Sequence, residues 1–97
     1  MKITVTGYVT LRGAIGHDRP VEIDAERITL KDLVQQLSVE LGDEIVPPIS
    51  NPDAYVGPSR RIIILVNGRH CSHLPDGLDT ELADGDKVAL FPPVAGG

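Results

Sequence analysis

Thr29-Leu30-Lys31-Asp32-Leu33-Val34-Gln35-Gln36-Leu37-Ser38-Val39-Glu40-Leu41-Gly42 is the stretch that decides the architecture of this chain. Leu30, Leu33, Val34, Leu37 and Leu41 recur at i, i+3, i+4, i+7 and i+11, which draws one apolar stripe along an α-helix. Thr29 suits the N-cap, and Asp32 stands three residues on, at the capping-box position and in the first turn, where an acid also suits the helix dipole. Gly42 is placed to close the helix in a left-handed cap. A single helix with one apolar stripe needs a second layer to cover that stripe, and the flanking residues supply strands.

Upstream, residues 3–11 alternate: Ile3, Val5, Val9 and Leu11 share one face, and Thr4, Thr6, Tyr8 and Thr10 the other. Period two with β-branched residues predicts a strand over 3–11. Gly7 falls on its apolar face and marks a bulge or a close approach by another element. Arg12 to Arg19, with Gly13, Gly16 and Asp18, reads as a loop. Val21, Ile23 and Ala25 alternate with Glu22 and Asp24, so a second strand closes a hairpin with one wet face.

Downstream, residues 43–60 break both periods with Pro47, Pro48, Asn51, Pro52, Gly57 and Pro58, which predicts a long proline-rich loop. Ile45, Val46, Ile49, Tyr55 and Val56 are apolar islands that would pack parts of it. Ile62-Ile63-Ile64-Leu65-Val66 is a continuous apolar run, expected to be a strand buried on both faces or nearly so. Asn67-Gly68 follows at once, a strong hairpin signal, with Arg69-His70-Cys71-Ser72 as the short return strand. Leu78 and Leu82 read as apolar plugs in an irregular segment. Asp84-Gly85-Asp86 is a turn that launches a last strand over 87–91, expected to be central. The fold class is therefore α+β: a mixed sheet of four to five strands with one main helix packed across it, as a single domain over 1–97.

The composition limits what such a domain does. Only three residues are aromatic, Tyr8, Tyr55 and Phe91, so the core must be aliphatic. A net charge of −5 argues against a nucleic-acid binder that tracks phosphates, and against docking on an anionic membrane surface. It fits a basic docking face on a partner protein, where charge speeds encounter. The single cysteine, Cys71, allows no intramolecular disulfide and suits a reducing compartment. With no apolar run long enough for a bilayer and no signal region, the expected location is cytoplasmic.

The body of the chain offers no convincing reaction centre. His70-Cys71-Ser72-His73 holds metal-ligating types, but neighbours on a strand point to opposite faces and there is no second pair. Cys71 as a nucleophile lacks an evident third group to orient a base. Arg60-Arg61 with Arg69 reads as a charged strand edge that discourages aggregation. Asp76, Asp79, Asp84 and Asp86 lack calcium-loop spacing, and two of them serve turns. No metal site and no bound cofactor is expected.

What stands out is the end, Phe91-Pro92-Pro93-Val94-Ala95-Gly96-Gly97. Paired prolines stop the ladder and favour an extended backbone, so residues 91–97 are expected to project as a flexible thin tail. Gly96 and Gly97 lack a Cβ, so this thread would pass a tunnel too narrow for side chains. At ordinary glycine usage a terminal Gly-Gly arises by chance in about 0.5 % of chains.

The stretch Leu65-Val66-Asn67-Gly68-Arg69, then Gly77-Leu78-Asp79-Thr80-Glu81-Leu82 and Asp84 through Gly97, resembles the MoaD group of ubiquitin-like sulfur carriers, the ThiS/MoaD type whose MoaD members are small subunits of molybdopterin synthase. The likeness is motif-level over 65–97 and architectural over 1–42, and the 43–60 insert is similar to the longer loop of archaeal-type members. The group's aromatic residues on the first strand are replaced here by Val5, Gly7 and Val9. The resemblance implies a β-grasp fold and a non-catalytic carrier. A ubiquitin-activating-type (MoeB-like) enzyme would use ATP to adenylate the Gly97 carboxylate, and a sulfur donor would convert it to a thiocarboxylate. The tail would then enter the MoaE-like large subunit and give its sulfur to a pterin precursor in molybdenum or tungsten cofactor synthesis. On that reading Gly97 is the reacting residue, Gly96, Ala95 and Val94 give passage, and Phe91, Pro92 and Pro93 meet the partner. Two alternatives share the tail: a modifier joined to target lysines through Gly97, and a carrier for thiamine thiazole, cysteine or thiolated tRNA. Phe91-Pro92-Pro93 sets the chain apart from thiamine carriers, which usually lack the diproline.

Overall fold

The last strand of the chain is the middle strand of its sheet. In the computed structural model, which describes residues 1–42, 44–48, 50, 55 and 62–92, five strands form one mixed sheet in the order β2-β1-β7-β4-β5. They are β1 (Lys2–Gly7), β2 (Arg19–Glu22), β4 (Ile63–Val66), β5 (Arg69–His70) and β7 (Lys87–Phe91). β7 runs parallel to β1 and antiparallel to β4, while β1 pairs antiparallel with β2 and β4 with β5. Pro20, which cannot donate to a ladder, sits in the edge strand β2 opposite Thr4. A second, two-stranded sheet joins β3 (Ile28–Thr29) to β6 (Glu81–Leu82). Leu82 reads in the sequence as a plug without a strand; its place in β6 goes undetected there because a two-residue ladder carries no period.

The helix α2 (Leu30–Leu41) forms as its sequence dictates. Thr29 Oγ1 accepts from the Asp32 N–H at 3.2 Å, and Asp32 Oδ2 accepts from the Thr29 N–H at 3.3 Å, a reciprocal capping box. Gly42 ends it at φ 97°, and its N–H donates to Ser38 O. Leu30, Leu33, Val34 and Leu37 are fully buried, in one cluster with Ile3 and Val5 of β1, Ile64 of β4 and Val88 and Leu90 of β7. Burial of this aliphatic cluster is the main favourable term in folding. Tyr55 and Val46, two of the loop's apolar islands, are fully buried, and the Tyr55 hydroxyl donates to Pro47 O.

Four expectations are corrected. The first strand stops at Gly7 instead of running to Leu11. A single 3-10 turn, Val9–Leu11, and the short helix α1 (Arg12–Ile15) follow, where a continued strand and then a loop were expected. Gly7 permits this: a Cβ there would sit 2.5 Å from Leu11 O and 2.8 Å from Ile15 Cβ, so the absence of a side chain lets the 11–15 segment cross close over the end of the strand. Val9, assigned to the core face, is 71 % exposed in consequence. Second, β2 spans Arg19–Glu22, earlier than the 21–25 read from alternation; Ile23 is still buried, its N–H held by Met1 O outside the ladder, and Ala25 is exposed. Third, β4 buries Ile64 and Val66 but leaves Ile63 and Leu65 half-buried, because the helix covers only one face of the sheet. Fourth, the return strand holds Arg69 and His70 alone, and the chain coils into a 3-10 turn at Cys71–His73. The Asn67-Gly68 hairpin stands, with φ 51° and 85° at its two central residues, as a type I′ turn requires. Arg60 and Arg61, and the greater part of the 43–60 loop, lie outside the described residues.

Candidate functional site: the exit of the central strand

β7 is built to present its end. Val88 and Leu90 point into the core, and Ala89 and Phe91 are half-buried on the opposite, open face of the sheet. The pairing Ile63↔Phe91 closes the ladder on one side. On the other side the Tyr8 N–H donates to Leu90 O at 3.0 Å, just past the last β1–β7 pair, Gly7↔Leu90. Pro92 follows with no N–H to donate, so the ladder stops there. Pro93, Val94, Ala95, Gly96 and Gly97 lie outside the described residues. Of the sequence-expected site residues, therefore, the structure places Phe91 and Pro92, both half-buried at the end of a central strand.

Tyr8 is the residue that sequence reasoning missed here. Its ring stacks on Phe91 with centroids 4.4 Å apart and planes 4° from parallel. The missed signal was the scarcity of aromatics: two of only three sit in this one contact. Beside the stack the open face forms a shallow concavity of about 460 Å³. Leu65, Ala89 and Phe91 give it an apolar floor, and His17, Asn67 and Lys87 a polar rim. The rim is braced by Asp18, whose Oδ1 accepts from Thr6 Oγ1 at 3.3 Å and whose N–H donates to the same hydroxyl at 3.0 Å. His17 Nε2 lies 3.3 Å from Asp18 Oδ2. On the far rim, Asn67 Oδ1 accepts the Lys87 N–H at 3.0 Å and its Nδ2 donates to Asp86 at 3.1 Å, which fixes the hairpin to the start of β7. An apolar floor with a satisfied polar rim on an exposed sheet face suits a protein partner better than a small molecule.

The rings of His70 and His73 are 5.9 Å apart and tilted by 47°, and Cys71 between them is fully buried in the core. Among the described residues no three His, Cys, Asp or Glu side chains gather as metal ligands. Asp84 Oδ1 accepts the Lys2 N–H, Asp86 Oδ2 accepts the Ala83 N–H, and Asp79 pairs with Lys31 at 3.0 Å, so these acids hold the start of β1, a turn and an ion pair. No described helix is long and apolar enough to cross a membrane.

Comparison with known proteins agrees with this geometry. Residues 9–97 match the model of the ThiS family. A candidate sulfur carrier protein of Archaeoglobus fulgidus is 40 % identical over 77 residues, 79 % of this chain and 83 % of its own length. Small archaeal modifier protein 3 of Haloferax volcanii is 34 % identical over 97 residues, the whole of both chains. The solved structure of a candidate molybdopterin converting factor subunit 1 from Pyrococcus furiosus superposes with a TM-score of 0.65 at 25 % identity, covering 97 % of this chain and 99 % of its own. The five-stranded mixed sheet with one main helix is the β-grasp fold of these neighbours.

Proposed function

The chain belongs to the ThiS family of ubiquitin-like sulfur carriers, and on that premise we propose that it carries sulfur as a thiocarboxylate on Gly97. The observation that supports this reading is the placement of β7, the central strand, whose last residue leads through Pro92 into Pro93-Val94-Ala95-Gly96-Gly97. A carboxylate is ionised at neutral pH and is a poor acyl donor. One carboxylate oxygen attacks the α-phosphate of ATP on a partner adenylating enzyme and displaces pyrophosphate. Hydrosulfide then attacks the acyl carbon, displaces AMP and loses its proton, leaving the thiocarboxylate. On this reading the partner enzymes supply the catalytic groups. Gly96, Ala95 and Val94 give passage through a narrow channel, and Phe91, Pro92 and Pro93 meet the partner at its mouth. The acceptor is a pterin precursor on a molybdopterin synthase large subunit, in molybdenum or tungsten cofactor synthesis. The similarity to a molybdopterin converting factor subunit supports that choice.

A second reading rests on the full-length similarity to a modifier protein: the same activated Gly97 passes to a lysine amine and forms an isopeptide bond. Both readings need activation, so activation is the first test. With adenylating enzyme, ATP and a sulfide source, the chain is expected to gain the mass difference between sulfur and oxygen at Gly97. Deleting Gly97 is expected to abolish the gain and leave the melting temperature unchanged. No mass change under conditions that charge a control carrier overturns the carrier reading. Sulfur release to a pterin precursor with the large subunit favours the first acceptor, and Gly-Gly remnants on lysines in cell extract favour the second.

A further inference from the structure

We propose that Tyr8 is a positioning residue that sets the direction in which the chain leaves the sheet after Phe91. The proposal rests on the carrier reading above for its functional consequence, but its geometry stands alone. The direction of departure depends on two residues. Proline fixes its own φ, and the residue before a proline is confined to extended backbone. Phe91 is that residue, so its remaining freedom lies in its side chain and in the local tilt of the strand end. Tyr8 restrains both. Its ring covers the Phe91 ring at 4.4 Å, and its N–H holds Leu90 O at 3.0 Å. Tyr8 is in turn held from behind, because its carbonyl accepts the Leu11 N–H at 3.0 Å, and Gly7 beside it donates to Gly16 O at 2.9 Å. The 8–16 segment thus acts as a bracket on the end of β7.

The burial pattern separates this role from simple packing. Tyr8 is 38 % exposed and lies outside the buried core cluster, so the fold depends little on its ring. Among the described residues the ring's one aromatic contact is Phe91, at the point where the tail begins. Restraining the last ladder residue before binding reduces the freedom lost when the tail enters a partner. That saving appears in the affinity of the carrier for the enzyme that charges it, with the chemical step unaffected.

The test compares wild type with Tyr8→Ala, Tyr8→Phe and Val21→Ala, the last a core truncation at the far end of β1, where Val21 pairs with Ile3. Three measurements are made: melting temperature, the steady-state kinetics of charging by the adenylating enzyme (kcat and KM), and ¹³C relaxation of the Phe91 ring and Cα. Tyr8→Ala is expected to raise KM for the carrier about three- to tenfold, the cost of fixing one side chain anew. Its kcat should stay within about twofold of wild type, and the order of Phe91 should fall. Tyr8→Phe is expected to match wild type in all three. Val21→Ala is expected to lower the melting temperature and leave KM and Phe91 order unchanged. An unchanged KM in Tyr8→Ala, or an equal rise in Val21→Ala, overturns the proposal. If wild type is not charged at all, the carrier reading falls and the relaxation decides alone: Phe91 as ordered in Tyr8→Ala as in wild type overturns the bracket, and selective loss of its order supports it.

Discussion

In α2 every instruction is local: an apolar period, a capping box and a closing glycine all fall within Thr29 to Gly42, and the helix forms within those limits. Between Tyr8 and Gly16 nothing local asks for a helix, yet the chain turns through a 3-10 turn and α1 there. The first segment is helical because its own residues favour it and the core then covers its stripe. The second is helical because Gly7 leaves room for Leu11 and Ile15 to close over the end of β1, where continued pairing would have carried β1 past the end of β7. The locally specified segment supports the platform, and the contextually specified one reaches the exit at Phe91.

Leu37→Ala removes a fully buried side chain from α2 and is expected to cost about 2–5 kcal/mol, read as a shift in the denaturation midpoint. Because α2 lies on the face of the sheet opposite Phe91, the folded fraction should still charge with wild-type KM. A raised KM would mean that the platform and the exit are coupled.

Gly7→Ala is the sharper intervention at the other segment. The added methyl would meet a backbone carbonyl at 2.5 Å, which cannot rotate aside as a side chain does. The expected cost is about 1–3 kcal/mol. Unlike Leu37→Ala, this variant should also loosen the Tyr8–Phe91 stack, seen as loss of the ring-current shifts between the two rings. Retention of those shifts would show that the bracket does not depend on the packing of α1 against β1.

The same contrast explains what was legible beforehand. The helix, the Asn67-Gly68 hairpin and the central last strand were readable because each is written in residues adjacent in sequence: a period, a turn dipeptide, an apolar run after Asp84-Gly85-Asp86. The fold class followed from their order. The end of β1 was not readable, because Val9 and Leu11 extend the alternation of Ile3 and Val5 without a break, and the steric event that stops it involves Ile15, eight residues beyond Gly7. Gly7 on the apolar face did signal a close approach, but not by which element. At the exit, Phe91 and Pro92 stand out in the sequence through the diproline, Phe91 just before it and Pro92 as its first member, whereas Tyr8 does not, since its partner lies at the other end of the chain. Ile63 and Leu65 were over-assigned to the core because an apolar run does not reveal which of its faces a lone helix will cover.

The smallest effect is the most diagnostic of how the bracket is held. Val9 has φ 56°, in the left-handed region, and a β-branched side chain 71 % exposed to solvent. An L-residue there carries a strain of about 1–2 kcal/mol, greatest when the Cβ is branched. Val9→Gly removes that strain and forfeits almost no buried surface, but it also gives the unfolded chain more freedom, worth about 0.4–1 kcal/mol against folding. The difference is a gain of up to about 1.6 kcal/mol, measurable as a rise in the urea midpoint at unchanged m-value. Val9→Ala keeps a Cβ at the same φ and should recover only a fraction of that gain. If Val9→Gly instead lowers the midpoint, the turn at Val9 is relaxed, and the tertiary packing that draws the chain from β1 into α1 is not working against a local preference.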